Sequence, residues 1–228
     1  MRGMPHAVLP DSPEAMAKLM LEAMPQPALG GVQQPALPVE SPEPADHMLM
    51  QQYANGQVAA FDTLYTRHSL GVWRYVFRSV RDAAVADDLL QDVWFAVARQ
   101  AANYRHTARF KTWLFTIAHH RKLDYFRTAK HHASLDEERG DAGSLADTLA
   151  ADSGFGPVRQ LQSREQGAAL IAAVEQLPPE QRDAFLLQVE GDMSVEDIAC
   201  ACGVSFETAK SRLRYARHRL RESLRDFA

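Results

Sequence analysis

Cations crowd the C-terminal part of the sequence, where Glu207 and Glu222 are among the few acids. The cations between positions 206 and 225 are Lys210, Arg212, Arg214, Arg217, Arg219, Arg221 and Arg225. A helix in the major groove of DNA needs short polar groups and long cations near its N-terminal end for base edges, and further cations for phosphates. The candidate DNA-reading residues are therefore Phe206, Glu207, Thr208, Lys210, Ser211 and Arg214, with Arg217 after them. A solvated basic surface helix is the alternative.

The residues just before this segment predict the turn that would position it. Residues 194–197, Ser-Val-Glu-Asp, are similar to a capping box, with Asp in place of the usual Glu or Gln. Ile198 and Cys202 then lie one turn apart, Gly203 can take the left-handed conformation that ends a helix, and Ser205 can cap the next one. We expect that next helix to bury Ala209, Leu213, Ala216, Leu220 and Leu224. A helix, a glycine turn and a second helix predict a helix-turn-helix reader.

A second group of cations is interleaved with aromatic residues between positions 104 and 130. The cations are Arg105, Arg109, Lys111, Arg121, Lys122, Arg127 and Lys130, and the rings belong to Tyr104, Phe110, Trp113, Phe115, Tyr125 and Phe126. Cations follow a phosphate backbone and rings stack on unpaired bases, so this mixture suits single-stranded or opening DNA. The rings are equally suited to a core. We expect Trp113 and Phe126 inside and one or two of the others exposed.

Acidic residues cluster on the preceding predicted helix. Asp87, Asp88 and Asp92, with Gln91, lie mostly away from its apolar stripe, which consists of Val85, Leu89, Val93 and Val97. An exposed acidic face beside a DNA-binding surface would repel DNA, so a protein partner is the more economical use for it. An ordinary solvated face is the alternative.

The net charge of −4 hides a strong asymmetry along the chain. Residues 1–47 carry six acids against two bases, residues 134–160 repeat that balance, and residues 48–133 carry twelve bases against six acids. Residues 1–47 are rich in proline and lack a period, which predicts a disordered extension, with a short helix possible over residues 13–24. Residues 134–160 contain several glycines in an acidic setting, which predicts a flexible linker. The net charge therefore does not exclude a nucleic-acid partner.

Apolar residues recur at helical spacing through both remaining segments. Residues 48–133 predict a domain of three packed helices, with a turn at Asn55-Gly56, an N-cap at Asp82 and a third helix at about residues 110–129. Residues 161–228 predict a second domain, in which Pro179 lies near a helix start and the helix-turn-helix follows. The expected fold class is all-α, with two small helical domains joined by a flexible linker.

The sequence indicates no enzyme, cofactor or metal site. Adjacent histidines at His119-His120 and at positions 131–132 diverge on a helix, so we expect no metal site at either pair. Cys200 and Cys202 point in different directions on a helix, which suits neither a disulfide nor a complete metal site, and we expect Cys202 to be buried. Phosphate-binding loops and nucleophile elbows are also missing from the sequence. Since the N-terminus has no continuous apolar run, we expect a cytoplasmic protein without membrane insertion.

These residues together resemble the extracytoplasmic-function sigma factors of bacteria. Residues 61–68 resemble the opening of the family's second conserved region, and residues 87–94 resemble the helix that docks on the clamp of RNA polymerase. Residues 110–118, with Arg121, Asp124 and Arg127, are similar to its minus-ten-binding segment, while residues 177–182 and 208–217 resemble its fourth region, which reads the minus-thirty-five element. The departures from the family's usual residues are His120 for Asn, Trp94 for Phe, Ala209 for Val and Tyr215 for Arg.

The resemblance implies a factor that binds core RNA polymerase, directs it to promoters and helps open the DNA. It implies contacts to the minus-thirty-five element by the candidate DNA-reading residues, and to the minus-ten element by Arg109, Lys111, Trp113, His120, Arg121 and Arg127. It implies contacts to core polymerase by Asp88, Leu89, Gln91 and Asp92. An anti-sigma factor is a further implied partner. The alternative is a stand-alone helix-turn-helix regulator, which would leave the first domain without a purpose.

Overall fold

A computed structural model of the chain describes residues 44–135 and 167–225, and every regular element in these two ranges is helical. Residues 44–135 fall in one compact unit, the first unit, and residues 167–225 fall in another, the second unit. The all-α class is therefore confirmed. The predicted extension up to residue 43, its short helix at 13–24 and the predicted linker from residue 136 onward lie outside the described residues.

The first unit contains four helices: α1 Asp46–Ala54, α2 Val58–Val80, α3 Ala83–Gln100 and α4 Phe110–Leu135, with a 3₁₀ turn at Ala101–Asn103. The sequence predicted three of them. The fourth, α1, is separated from α2 by the predicted turn, in which Gly56 has a φ of 94° that favours glycine. In this unit α2 packs against α1, α3 and α4.

Local caps and a shared core fix these helices. The side chain of Asp82 accepts a hydrogen bond from the Val85 backbone N at 3.1 Å, as predicted, and such a cap is worth about 1 kcal/mol. The predicted stripe of α3 faces the core at Leu89, Val93 and Val97. Apolar residues of the other helices complete this core, among them Leu64, Val72, Val76, Leu114 and Ala118.

A buried polar contact joins α2 to α4. The Tyr75 hydroxyl lies 2.7 Å from His119 Nδ1 and 2.9 Å from Lys122 Nζ, and all three residues are buried. The amino group of Lys122 donates to the phenol oxygen, and the hydroxyl shares a second hydrogen bond with His119 Nδ1. Lys122, which the sequence placed among the DNA-facing cations, is instead part of the packing that positions α4.

The second unit begins with a helix over residues 167–175, α5, followed by α6 Pro179–Val189, α7 Val195–Cys202 and α8 Phe206–Ser223. Its local signals are confirmed: Ser194 and Asp197 form a reciprocal capping box, Gly203 ends α7 at a φ of 64°, and Ser205 caps α8. Both α6 and α7 pack against α8. The predicted stripe of α8 is buried throughout, at Ala209, Leu213, Ala216, Leu220 and Leu224.

Membrane insertion was not expected for this chain. Within residues 44–135 and 167–225, none of the helices is both long enough and apolar enough to cross a bilayer.

Candidate functional site

The exposed face of α8 carries most of the candidate DNA-reading residues. Lys210, Arg214 and Glu207 are exposed, and Phe206 is 40% exposed. The Lys210 ammonium lies 5.7 Å from the centre of the Phe206 ring and 3.7 Å from the Glu207 carboxylate. Because these groups are exposed, their mutual attraction is weak and is readily exchanged for contacts with DNA.

The guanidinium of Arg214 rests on a neighbouring aromatic ring. It lies 4.9 Å from the centre of the Tyr215 ring and donates a hydrogen bond of 3.2 Å to the Tyr215 hydroxyl. Stacking on an exposed ring restricts the orientations of a long side chain while leaving most of its donors free. Arg214 is thus held extended from the side of α8 opposite the buried stripe.

Arg217 differs from the other candidate DNA-reading residues. It is half-buried and donates a hydrogen bond of 2.6 Å to the Gln188 side chain, which ties α8 to α6. One of its N–H groups therefore stabilises the packing of α8 on α6 instead of contacting DNA. Sequence reasoning missed His218, which is exposed and follows Ser211 by seven residues and Arg214 by four, on the same face of α8.

The candidate minus-ten residues lie on α4 and the loop before it. Arg109, His120 and Arg127 are exposed, whereas Lys111, Trp113 and Arg121 are half-buried. The Trp113 ring packs at centroid distances of 5.0 Å from Tyr104 and 5.8 Å from Phe110, so it belongs partly to the core, as expected, and partly to the surface. Arg127 pairs with Asp124 at 2.9 Å, an exposed contact of small energy.

The expectation that Phe126 lies in the core is wrong, because 42% of the residue is exposed. Up to position 129, where the described side chains of α4 end, the last buried residue is Lys122, and residues 126–129 are all exposed. The helix therefore continues past the packed part of the first unit at this point. Helical periodicity predicts which face a residue lies on but not where the covering helices end.

An ion pair and a hydrogen bond fasten the start of α1 beside this loop. Asp46 contacts Arg67 at 2.9 Å and His68 at 2.8 Å. The His68 hydrogen bond, followed by that of Arg67, outweighs the effect of partial burial and holds the pKa of Asp46 below its ordinary 3.8. Burial, with a smaller contribution from the charge of Asp46, raises the pKa of Tyr104, so this phenol stays neutral at physiological pH.

The acidic side of α3 is exposed at Asp87, Asp88, Gln91 and Asp92, as predicted. Asp87 also has a structural contact, because its carboxylate accepts a 2.7 Å hydrogen bond from the indole N–H of Trp73. The placement of Leu89 among the partner-contacting residues needs correction: it is 6% exposed and packs in the core. The remaining candidate contact residues, Asp88, Gln91 and Asp92, form a candidate docking surface that is called the docking face below.

An aromatic groove of about 570 Å³ lies beside the docking face. Its described lining comprises Tyr53, Phe61, Tyr65, Asp87, Asp88, Leu90, Gln91, Trp94, Phe95 and Ala98. Phe61 and Tyr65 pack on Trp94 at centroid distances of 5.4 and 5.1 Å. Burial, and then the nearby Asp87 charge, raises the pKa of Tyr65, which keeps this phenol neutral. The sequence signal for the groove is the four-residue spacing of Phe61 and Tyr65, which places both rings on one face of α2.

Candidate metal ligands are dispersed in the part of the chain that the structure describes. There, no three histidine, cysteine or acidic side chains come together as metal ligands. His119 is engaged with Tyr75 inside the unit, and the side chains at positions 131–132 lie outside the described set. Cys200 is exposed, and Cys202, which was expected to be buried, is half-buried; the two cysteines form no disulfide.

Two known sequence families match this chain, one in each unit. Residues 64–132 match the family described as Sigma-70 region 2, and residues 167–220 match the family described as Sigma-70, region 4. The first match covers most of α2, all of α3 and most of α4. The second covers the helix-turn-helix and most of α8.

Individual relatives match across both units. The RNA polymerase sigma factor CarQ of Myxococcus xanthus is 31% identical over 175 residues, or 77% of this chain and 95% of CarQ. The ECF RNA polymerase sigma factor SigM of Mycobacterium tuberculosis is 33% identical over 178 residues, or 78% of this chain and 84% of SigM. The structure of the sigma factor RpoE from Bartonella quintana, solved with the anti-sigma factor NepR, has a TM-score of 0.55 at 23% identity and covers 72% of this chain and 96% of RpoE. The similarity to RpoE, at this level of identity, shows a shared fold.

Proposed function

This chain belongs to the extracytoplasmic-function family of sigma factors, and we propose that three surfaces on its two units perform promoter recognition, promoter opening and polymerase docking. As a member of that family it is an alternative sigma factor, which directs RNA polymerase in transcription initiation. The observation that supports the division of labour is charge: the exposed face of α8 is basic, whereas the docking face on α3 is acidic.

The helix α8 reads the minus-thirty-five element in this proposal. Its N-terminal half presents Glu207, Lys210 and Arg214 at the surface, and the Ser205 cap and the turn at Gly203 fix the angle at which it follows α7. Arginine and lysine side chains match the acceptors of guanine in the major groove, and their charges also favour phosphate contacts. Because Arg217 donates a hydrogen bond to Gln188, we assign it at most a contact to a DNA phosphate.

The helix α4 and the loop before it hold the opened minus-ten strand. Arg109, Lys111, Arg121 and Arg127 supply positive charge along this element, while Trp113 and His120 supply rings for unstacked bases. A groove that combines cations with rings favours single-stranded over duplex DNA, because the π-face of a base is accessible only when it is unstacked. The buried Tyr75 contact fixes α4 on α2 and so sets this surface.

The docking face binds core polymerase. Its carboxylates are exposed and repel the DNA backbone, so they suit a basic segment of the enzyme. The partners of the chain are then core polymerase, promoter DNA and an anti-sigma factor like the NepR that accompanies RpoE. The chain carries no catalytic chemistry and no cofactor in this proposal, and it acts in the cytoplasm, where the polymerase works. A stand-alone regulator is not favoured, because relatives match across both units.

Two groups of substitutions test the separation of surfaces. Lys210→Ala and Arg214→Ala weaken promoter binding by the holoenzyme by about 1 to 3 kcal/mol where a base contact is lost, and leave binding to core polymerase unchanged. Asp88→Ala, Gln91→Ala and Asp92→Ala weaken binding to core polymerase. Anisotropy with labelled core enzyme and with labelled promoter measures both affinities, and excess core enzyme restores transcription to the second group alone.

Matched controls come from the same helices and charges. Arg219→Ala removes an exposed arginine about 140° around α8 from Arg214 and is expected to cost less promoter affinity. Asp62→Ala removes an exposed acid of α2 that belongs neither to the docking face nor to the groove lining, and it is expected to leave core binding intact. If the two groups of variants were indistinguishable in both assays, the assignment of separate surfaces would fail.

A further inference from the structure

The aromatic groove beside the docking face is lined by a residue with a buried, unsatisfied hydrogen-bond donor. Trp94 is 4% exposed and lines the groove, yet its indole N–H has no hydrogen-bond partner within the described residues. The indole of Trp73 makes the contrast clear, because its N–H donates to Asp87 at 2.7 Å. A buried donor without an acceptor is unfavourable, and such groups are rare in folded proteins. The groove is therefore incomplete in the free chain.

The residues that line the groove indicate which chemical groups a partner segment needs in order to fill it. Phe95 is 57% exposed and presents a ring at the edge of the groove. Asp88 and Gln91 line the groove and also belong to the docking face, so the two surfaces are continuous. None of the described lining residues is cationic, whereas Asp87 and Asp88 are acidic. A complementary segment is basic, brings an apolar side chain for the rings and offers an oxygen to Trp94.

We propose that the segment of core RNA polymerase that docks on α3 inserts a side chain into this groove, and that the Trp94 indole N–H donates a hydrogen bond to an oxygen of that segment. The inference rests on the proposed docking of α3 and deepens it. It makes Trp94 and Phe95 binding residues, in addition to Asp88, Gln91 and Asp92. Since the related family often has Phe at position 94, the N–H is a feature of this chain rather than a general requirement of docking.

The test measures the affinity of the full-length chain for purified core polymerase by anisotropy. Phe95→Ala removes an exposed ring and leaves the core intact. Trp94→Phe deletes the N–H, and 3-benzothienylalanine at position 94 deletes it with almost no change of shape, so a loss with the second variant does not come from a smaller ring. We expect each change to weaken binding by about 3- to 10-fold, the range for one hydrogen bond or a modest apolar contact.

Three controls accompany these variants. Tyr125→Phe removes a hydroxyl from a half-buried ring of α4 and is expected to leave core affinity unchanged. Urea denaturation confirms that the position 94 variants are folded. Asp92 does not line the groove, so Asp92→Ala tests the docking face alone.

The outcomes separate this inference from the proposed function. Weakening by Asp92→Ala, but by none of the changes at positions 94 and 95, would overturn the groove contact and leave the docking face standing. No weakening by any variant would overturn both. Sedimentation velocity of the free chain adds one further outcome: a dimer that Phe95→Ala dissociates would assign the groove to a second copy of this chain and overturn the polymerase assignment.

Discussion

Replacing Tyr75 with Phe should destabilise the first unit without touching any proposed DNA or polymerase contact. The substitution removes one hydroxyl group from a fully buried ring and keeps the ring itself. The lost contacts are the 2.9 Å hydrogen bond from Lys122 Nζ and the 2.7 Å hydrogen bond shared with His119 Nδ1. A hydrogen bond to a charged group contributes about 1.5 to 3 kcal/mol and a neutral one about 0.5 to 1.5 kcal/mol. We therefore expect a loss of about 3 kcal/mol.

Urea denaturation followed by tryptophan fluorescence measures this loss in the full chain. The three tryptophans, Trp73, Trp94 and Trp113, all lie in the first unit, so the signal reports on that unit. At a denaturant slope of about 2 kcal/mol/M, the expected loss moves the midpoint down by roughly 1.5 M. Tyr125→Phe is the matched control and should stay within about 0.5 kcal/mol of the wild type. A Tyr75→Phe midpoint equal to that of the control would refute the assigned hydrogen bonds.

Three further predictions concern single side chains. Asp46→Asn should lower the free energy of unfolding by about 1 kcal/mol at pH 7. Because the pKa of Asp46 in the folded chain lies below 3.8, this difference from wild type should persist in urea titrations down to about pH 3.8. It should vanish as the pH falls through the lowered pKa. Ser205→Ala should cost about 1 kcal/mol of second-unit stability in thermal melts, and no change would argue against the cap. Mild oxidant should leave promoter-specific transcription intact; a loss that reductant restores and that Cys200→Ser with Cys202→Ser prevents would identify a redox switch.

Local signals in the sequence predicted the second unit well. The capping box at Ser194, the glycine at position 203 and the cap at Ser205 each depend on residues within one turn, so their outcome requires no knowledge of the rest of the chain. The stripe of α8 was predicted completely because its period is regular and the residues on it are small or apolar. These signals together also placed Lys210 and Arg214 on the exposed face.

The sequence predicted less where burial depends on distant helices. Lys122 was assigned to a DNA-facing surface, yet it is buried and donates to Tyr75 of α2. Periodicity placed Leu89 correctly on the buried stripe of α3, whereas the resemblance implied a polymerase contact that its burial does not support. Phe126 was assigned to the core, yet α4 is exposed at that point. The missing acceptor at Trp94 could not be predicted at all, since it depends on the packing of Phe61 and Tyr65 rather than on any spacing along the chain.

The most direct test of the central claim is transcription in a purified system. Core RNA polymerase, with and without this chain, transcribes fragmented genomic DNA, and the 5′ ends of the transcripts are mapped. The account predicts a set of defined start sites that require both proteins, and that Asp92→Ala reduces unless core enzyme is in excess. The contradictory result is a chain that protects specific duplex sites on its own, with the same affinity in the presence or absence of polymerase, and that adds no new start site.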